Sequence, residues 1–204
     1  KLWWEIPVVA HAGGGINGRT STNSLEAMNL SADSGYRIIE VDLSLTSDEE
    51  LILLHWDADT GETLEIEPIC ENSGGDALSL NVFQNMKICR KYTPMTGKDL
   101  VQWMKKHPSI YIMLDSKYSR IEELKLQYQR LTEICNFDSK LLNRFIVQIY
   151  DTESFDCIMD TYSFPNPDKP EKFILYIPPL CYSTPLYNFG VKPLLSNIEI
   201  PRLS

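Results

Sequence analysis

The run Arg37 to Leu45 constrains this chain more than any other stretch. Its residues alternate as a strand does, with Ile39, Val41, Leu43 and Leu45 on one face and Ile38, Glu40, Asp42 and Ser44 on the other. Glu40 and Asp42 therefore project from the same side of an otherwise apolar strand. Two like charges held that close repel and lose hydration unless a cation or hydrogen-bond donors stand between them. Two of the chain's three histidines flank the run. His11 ends the apolar Val8-Val9-Ala10, and His55 ends Leu51-Ile52-Leu53-Leu54. Histidine, paired acids and histidine are the groups that metal-assisted acid–base chemistry requires.

The rest of the sequence reads as strands alternating with helices. Strands are expected at Pro7–Ala10, Arg37–Leu45, Leu51–Trp56, Ile110–Leu114, Arg144–Tyr150 and Lys172–Ile177, with at most one more near Val191–Ile200. A helix opens at Asn23, with Glu26 three residues on as in a capping box, and closes at Gly35. Further helices are expected at Thr96–Lys106, stopped by Pro108, at Ile121–Cys135 and at Thr152–Asp160. The polar stretch from Asp57 to about Leu80 reads as a loop over the site. This order implies an α/β fold with a parallel sheet or barrel, and one domain spanning residues 1–204. His11, Glu40, Asp42, His55, Asp115 and Lys117 all fall at or near expected strand ends, the edge on which (β/α)-barrels build active sites.

A net charge of −9 argues against nucleic acid as a partner. It leaves room for a small phosphate-bearing substrate, because a bound divalent cation inverts the local sign. No apolar run reaches the length of a membrane span and no signal peptide is visible. The chain begins without methionine, so a signal or anchor removed from upstream fits as well as none, and a cytoplasmic or a cell-envelope or secreted location both stay open. Oligomeric state is equally open. The five cysteines are scattered without CxxC spacing, which favours buried free thiols over disulfides or zinc. Three carboxylates at strand ends, with no cysteine among them, suit a hard cation, Mg²⁺ or Ca²⁺. The two histidines suit general base and general acid. Lys117, on the same strand face as Asp115, suits neutralisation of a phosphoryl oxygen.

Read together, His11-Ala12-Gly13, Thr22-Asn23-Ser24, Glu40-Val41-Asp42, His55-Trp56-Asp57 and Asp115-Ser116-Lys117 resemble the glycerophosphodiester phosphodiesterase superfamily. The usual pattern there is His-Arg-Gly, Glu-Asn-Thr, Glu-x-Asp, His-Asp and Glu-x-Lys. The resemblance continues through Tyr92-Thr93-Pro94 and Phe145-Ile146-Val147-Gln148, over roughly three quarters of the chain. It implies a TIM-type (β/α)8 barrel, either complete or stopping short at the C-terminus, since a full barrel usually takes about 250 residues. It further implies acid–base catalysis by His11 and His55, a metal held by Glu40, Asp42 and Asp115, and substrate contacts from Lys117, Asn23 and Gln148. The expected activity is metal-dependent cleavage of a glycerophosphodiester or related alcohol-phosphate diester, through attack of a neighbouring substrate hydroxyl on phosphorus.

Two departures bear on the site. Ala12 replaces the arginine that contacts phosphate in the family, with Arg19 a candidate substitute. Asp115 replaces the glutamate, as in the related spider-venom phospholipase D group, and shortens the arm by one methylene. A phospholipase-D-like lyase acting on lipid head groups and a non-catalytic binding relative are the competing expectations. His107, before Pro108, reads as a surface residue at a helix C-terminus, and Trp3, Trp4 and Trp56 read as packing groups. Asn23 reads first as a helix cap.

Overall fold

The computed structural model describes residues 8–55, 78–162 and 174–176. Trp3, Trp4, Trp56, Asp57, most of the expected loop and the strand near residues 191–200 lie outside them.

A five-stranded sheet organises the described residues, in the order β2 (Leu51–Leu53), β1 (Ile38–Leu45), β3 (Tyr111–Ser116), β4 (Phe145–Gln148) and β5 (Ile174–Tyr176). The pairs β1–β3, β3–β4 and β4–β5 are parallel. Helices return the chain between them: α1 (Leu25–Asp33) before β1, α2 (Leu80–Asn85) and α3 (Gly97–Lys106) before β3, α4 (Ile121–Ile134) and α5 (Ser139–Leu142) before β4, and α6 (Thr152–Tyr162) before β5. This is the wall of a TIM-type barrel, strand by strand with helical cover. Of the expected strand Pro7–Ala10, the described part pairs at Ala10, which bridges in parallel to Ile39.

The expectation of a wholly parallel sheet fails at β2, which runs antiparallel to β1, with Leu43 opposite Leu53 and Leu45 opposite Leu51. Loop length decides this, because residues 46–50 are too few for a parallel crossover of a dozen or more residues. The turn closes on Thr46, whose amide donates to the Glu50 carbonyl at 3.0 Å. The hairpin has a functional consequence. It returns the chain alongside β1, and the Leu54 amide donates to the Asp42 carbonyl, so His55 re-enters beside the middle of the acid-bearing strand. Glu40 and Asp42 accordingly sit in mid-strand rather than at its end.

β1 is buried on both faces, as parallel barrel strands are. Ile39, Val41, Leu43, Ile112, Leu114, Phe145 and Val147 form one core with Leu100, Val101 and Met104 of α3 and Leu124, Tyr128 and Leu131 of α4. The α4 residues recur at the three- and four-residue spacing that gives a helix one apolar face. α3 starts where the sequence places it, with Thr96 and Asp99 forming a reciprocal capping box. At its other end His107 is half-buried rather than a plain surface group. Its ring stacks on Trp103 at 3.9 Å, and its Nδ1 lies 2.8 Å from the Trp103 carbonyl. Cys135 and Cys157 are buried and Cys89 is half-buried, and no disulfide joins these three.

The expected cap of α1 is displaced by one residue. Ser24 caps the helix, its hydroxyl accepting from the Ala27 amide, while Asn23 sits outside at φ 48°. Glu26 reaches away from the cap and accepts from the Thr93 amide and hydroxyl at 2.8 and 2.9 Å, tying α1 to the Tyr92–Pro94 segment. The turn after Ala10 is tighter still. Ala12, Gly13 and Gly14 take successive positive φ values of 47°, 82° and 104°. A Cβ at Gly14 would lie 1.9 Å from Ser31 Oγ, a hydroxyl already donating to the Gly13 carbonyl. A Cβ at Gly35 (φ 87°) meets nothing within 4 Å. Gly35→Ala should therefore cost only backbone strain, about 1–2 kcal/mol, and Gly14→Ala clearly more. Urea denaturation of both variants checks this, and equal losses would show that Ser31 yields freely.

Candidate active site

Register brings the acids together. In the β1–β3 pair Asp42 lies opposite Asp115 and Glu40 opposite Met113, so Asp42 and Asp115 are direct neighbours on the same face. Glu40, Asp42 and Asp115 each present a carboxylate oxygen within 4.8 Å of the others. Glu40 and Asp42 are buried and Asp115 is half-buried. Oxygens that bind one Ca²⁺ at about 2.3–2.6 Å lie at most about 5.2 Å apart, so this spacing suits a single ion.

Each acid is held by a different part of the chain. Glu40 Oε2 accepts from the Ala12 amide at 2.6 Å, which explains the left-handed turn at Ala12: it aims a backbone donor at the acid. Asp42 accepts from the Asn23 side-chain amide at 2.8 Å, and the Asp42 backbone amide donates back to Asn23 Oδ1 at 3.0 Å. Asn23 is thus neither a cap nor a loose loop residue but a two-point clamp on Asp42. Lys117 donates to Asp115 Oδ2 at 2.6 Å and lies 3.1 Å from Asp42 Oδ1, as an ion pair outside hydrogen-bond alignment. Its backbone carbonyl accepts from the fully buried Gln127. Tyr150, expected from the sequence only as a strand end and not as a site residue, donates to Asp115 Oδ1 at 3.1 Å.

The donors do not balance the acids. Glu40 Oε1 and Asp42 Oδ1 are buried without a hydrogen-bond partner, an arrangement that costs free energy unless something occupies the gap. Burial, then the Asp42 charge, pushes the Glu40 carboxyl up to about 8. Burial alone would lower the Lys117 ammonium, but the hydrogen bond and charge of Asp115 and the charge of Asp42 outweigh it and raise it. Carboxylate oxygens without hydrogen bonds are hard Lewis bases, and these residues fit a hard divalent cation.

The histidines are placed unequally. His11 Nε2 lies 4.0 Å from Glu40 Oε2, and its Nδ1 faces the Thr20 carbonyl at 3.4 Å. A carbonyl only accepts, so Nδ1 is the donor in that contact and Nε2 is the ring nitrogen turned toward Glu40. His55 is half-buried, with Nδ1 buried and unpartnered. Gln148 ends β4, half-buried and paired with Tyr176 in the sheet, and the register that sets Leu114 opposite Val147 brings it level with Asp115 on the neighbouring strand. Arg19 is exposed and closes a two-residue turn with Ile16. Ala12, which stands where the resembled pattern has an arginine, is fully buried. A cavity of about 490 Å³ is lined by Lys117 with Ser44, Thr46 and Gln127, while Glu40, Asp42, Asp115, His11 and His55 are not among its lining residues.

A TIM-type barrel wall with acids gathered on its inner face defines a barrel enzyme of the phosphodiesterase class once its relatives are considered. Residues 13–148 match the glycerophosphoryl diester phosphodiesterase family, and the chain belongs to that family. The matched span holds Glu40, Asp42, His55, Asp115, Lys117 and Gln148, while His11 precedes it. No curated protein matches the sequence. Solved structures share the fold at low identity. A Galdieria sulphuraria protein, assigned provisionally as a glycerophosphodiester phosphodiesterase, superposes with a TM-score of 0.65 at 17% identity, over 93% of this chain and 78% of that one. A glycerophosphodiester phosphodiesterase from Parabacteroides distasonis gives 0.58 at 14%, over 83% and 63%. An Oleispira antarctica phosphodiesterase, in complex with the product sn-glycerol-3-phosphate, gives 0.59 at 12%, over 97% and 74%.

The raised Glu40 carboxyl makes a signed prediction. Between its ordinary value near 4.5 and about 8, the folded protein holds a proton that the unfolded chain has lost. Metal-free stability should therefore fall as pH rises through that window. A divalent cation competes with that proton, so the rise in melting temperature on adding Ca²⁺ or Mg²⁺ should be larger at pH 8 than at pH 5.5. A shift independent of pH would contradict the placement of Glu40 among the ligands.

Proposed function

We propose that this chain cleaves glycerophosphodiesters or closely related alcohol-phosphate diesters, using a divalent cation held by Glu40, Asp42 and Asp115 and acid–base catalysis by His11 and His55. The observation that carries the reading is the convergence of three carboxylates within 4.8 Å, two of them with an unpartnered buried oxygen. Family membership supports the reaction class, and the product bound to the Oleispira antarctica relative supports a glycerol phosphate moiety. The bound cation would supply Lewis-acid polarisation of a phosphoryl oxygen.

The remaining chemistry belongs to the chain's own side chains. His11, with Nδ1 turned to the Thr20 carbonyl, takes the proton of the attacking hydroxyl on Nε2 as that oxygen bonds to phosphorus. His55 gives a proton to the departing alcohol oxygen as the second P–O bond breaks. Lys117, kept cationic by Asp115 and Asp42, faces the negative charge that grows on the phosphoryl group. With Ala12 buried and no guanidinium at that position, Lys117 is the cation that the cluster itself offers to phosphate.

A panel of glycerol-, lysolipid- and 2-deoxy-phosphodiesters, assayed with Mg²⁺, with Ca²⁺ and with EDTA, tests the proposal. Cleavage that needs metal and a hydroxyl neighbouring the phosphate is expected, because such proximity is worth about 7–11 kcal/mol of barrier. Equal rates without that hydroxyl would assign the attack to water. His11→Ala and His55→Ala should each lower turnover by about 10²–10⁴-fold with folding intact. An active double variant would refute the histidine roles. Silence across the panel by a metal-binding protein would favour a binding relative.

A further inference from the structure

Within the carboxylate cluster, Asp115 alone has a hydrogen-bond donor on each oxygen: Lys117 Nζ on Oδ2 at 2.6 Å and the Tyr150 hydroxyl on Oδ1 at 3.1 Å. Tyr150 follows β4 by two residues, so this donor reaches Asp115 from beyond the end of the neighbouring strand. The two donors differ in kind. An ammonium on a flexible stem is a point charge that tolerates many carboxylate orientations. A carboxylate on one methylene turns readily about its last bond. A phenol on the opposite oxygen removes that freedom, and each carboxylate oxygen keeps a second lone pair free after accepting one bond.

We propose that Tyr150 is the positioning residue of the candidate metal site, fixing the short Asp115 arm at the orientation in which it closes the cluster with Glu40 and Asp42. The inference rests on the metal-binding reading above and adds to it a residue outside the Glu-x-Asp and Asp-x-Lys pattern. It also accounts for how an aspartate serves at this position. The longer glutamate reaches further into the cluster by itself, whereas Asp115 depends on a partner that sets its plane.

Tyr150→Phe removes one oxygen and keeps the ring, and Tyr150 is 40% exposed, so the variant opens no core cavity. Calorimetric titration of the EDTA-stripped chain with Ca²⁺ and Mg²⁺ should show affinity weakened by about 10–100-fold, the usual loss when an outer partner of a metal ligand is removed. The melting temperature without metal should hardly change. In an Asp115→Glu background the same Tyr150→Phe change should matter far less, because the longer arm no longer needs the phenol. Wild-type affinity in Tyr150→Phe would overturn the proposal, as would an equal loss in both backgrounds. A wild-type chain that binds neither cation would overturn the metal-site reading along with it, so the two failures are told apart by the wild-type titration.

Discussion

Crowding of negative charge inside a barrel is the constraint on which the rest of this site depends. Glu40, Asp42 and Asp115 lie within reach of one ion on the inner face of a sheet whose outer face is hydrocarbon. Charge of one sign in such a medium is expensive unless paired. The chain supplies one ammonium and a few neutral donors, and two buried oxygens still lack a hydrogen bond, Asp42 Oδ1 being met only by the Lys117 charge. Protonation of Glu40 and occupation by a cation are the two ways of closing that deficit, and they compete. The same imbalance that costs stability to the cluster by itself would give a divalent ion its affinity.

Local backbone geometry follows from the same demand. Ala12 and Asn23 both occupy the left-handed region, each at about 1–2 kcal/mol. The strain aims the Ala12 amide at Glu40 and the Asn23 carboxamide at Asp42. The two are also joined, the Asn23 amide donating to the Ala12 carbonyl at 2.9 Å. One loop thereby holds two acids on adjacent turns of the pleat. Glycines at positions 13 and 14 let that loop pass close to α1, where Ser31 fills the space that a side chain would need. Strained residues gathered at a functional cluster, and held there by surrounding contacts, are the common pattern.

Much of this was legible in the sequence, for identifiable reasons. Period-two alternation placed Glu40 and Asp42 on one face, and Asp115 two residues before Lys117 on another strand supplied the third acid. Helices α3 and α4 lie where the sequence places them, the first stopped before Pro108. Other features were hidden in tertiary geometry. The antiparallel return of β2 was encoded in the short 46–50 connection, but the strand–helix rhythm elsewhere suggested a parallel neighbour. Asn23 has the composition of a cap, and only the φ 48° backbone shows that Ser24 takes that task and frees Asn23 for Asp42. Tyr150 carries no signal by itself, because its relevance comes from the β3–β4 pairing that carries the chain past Asp115.

The central claim is that Glu40, Asp42 and Asp115 act as one set of ligands. A crystal soaked with Mn²⁺ and glycerol 3-phosphate, with data collected at the manganese absorption edge, tests it directly. The account predicts one strong anomalous peak within about 2.0–2.6 Å of an oxygen from each carboxylate, with the phosphate beside Lys117. A peak elsewhere, or an empty cluster in which Lys117 alone bridges Asp42 and Asp115 while the phosphate binds at another place, would contradict it.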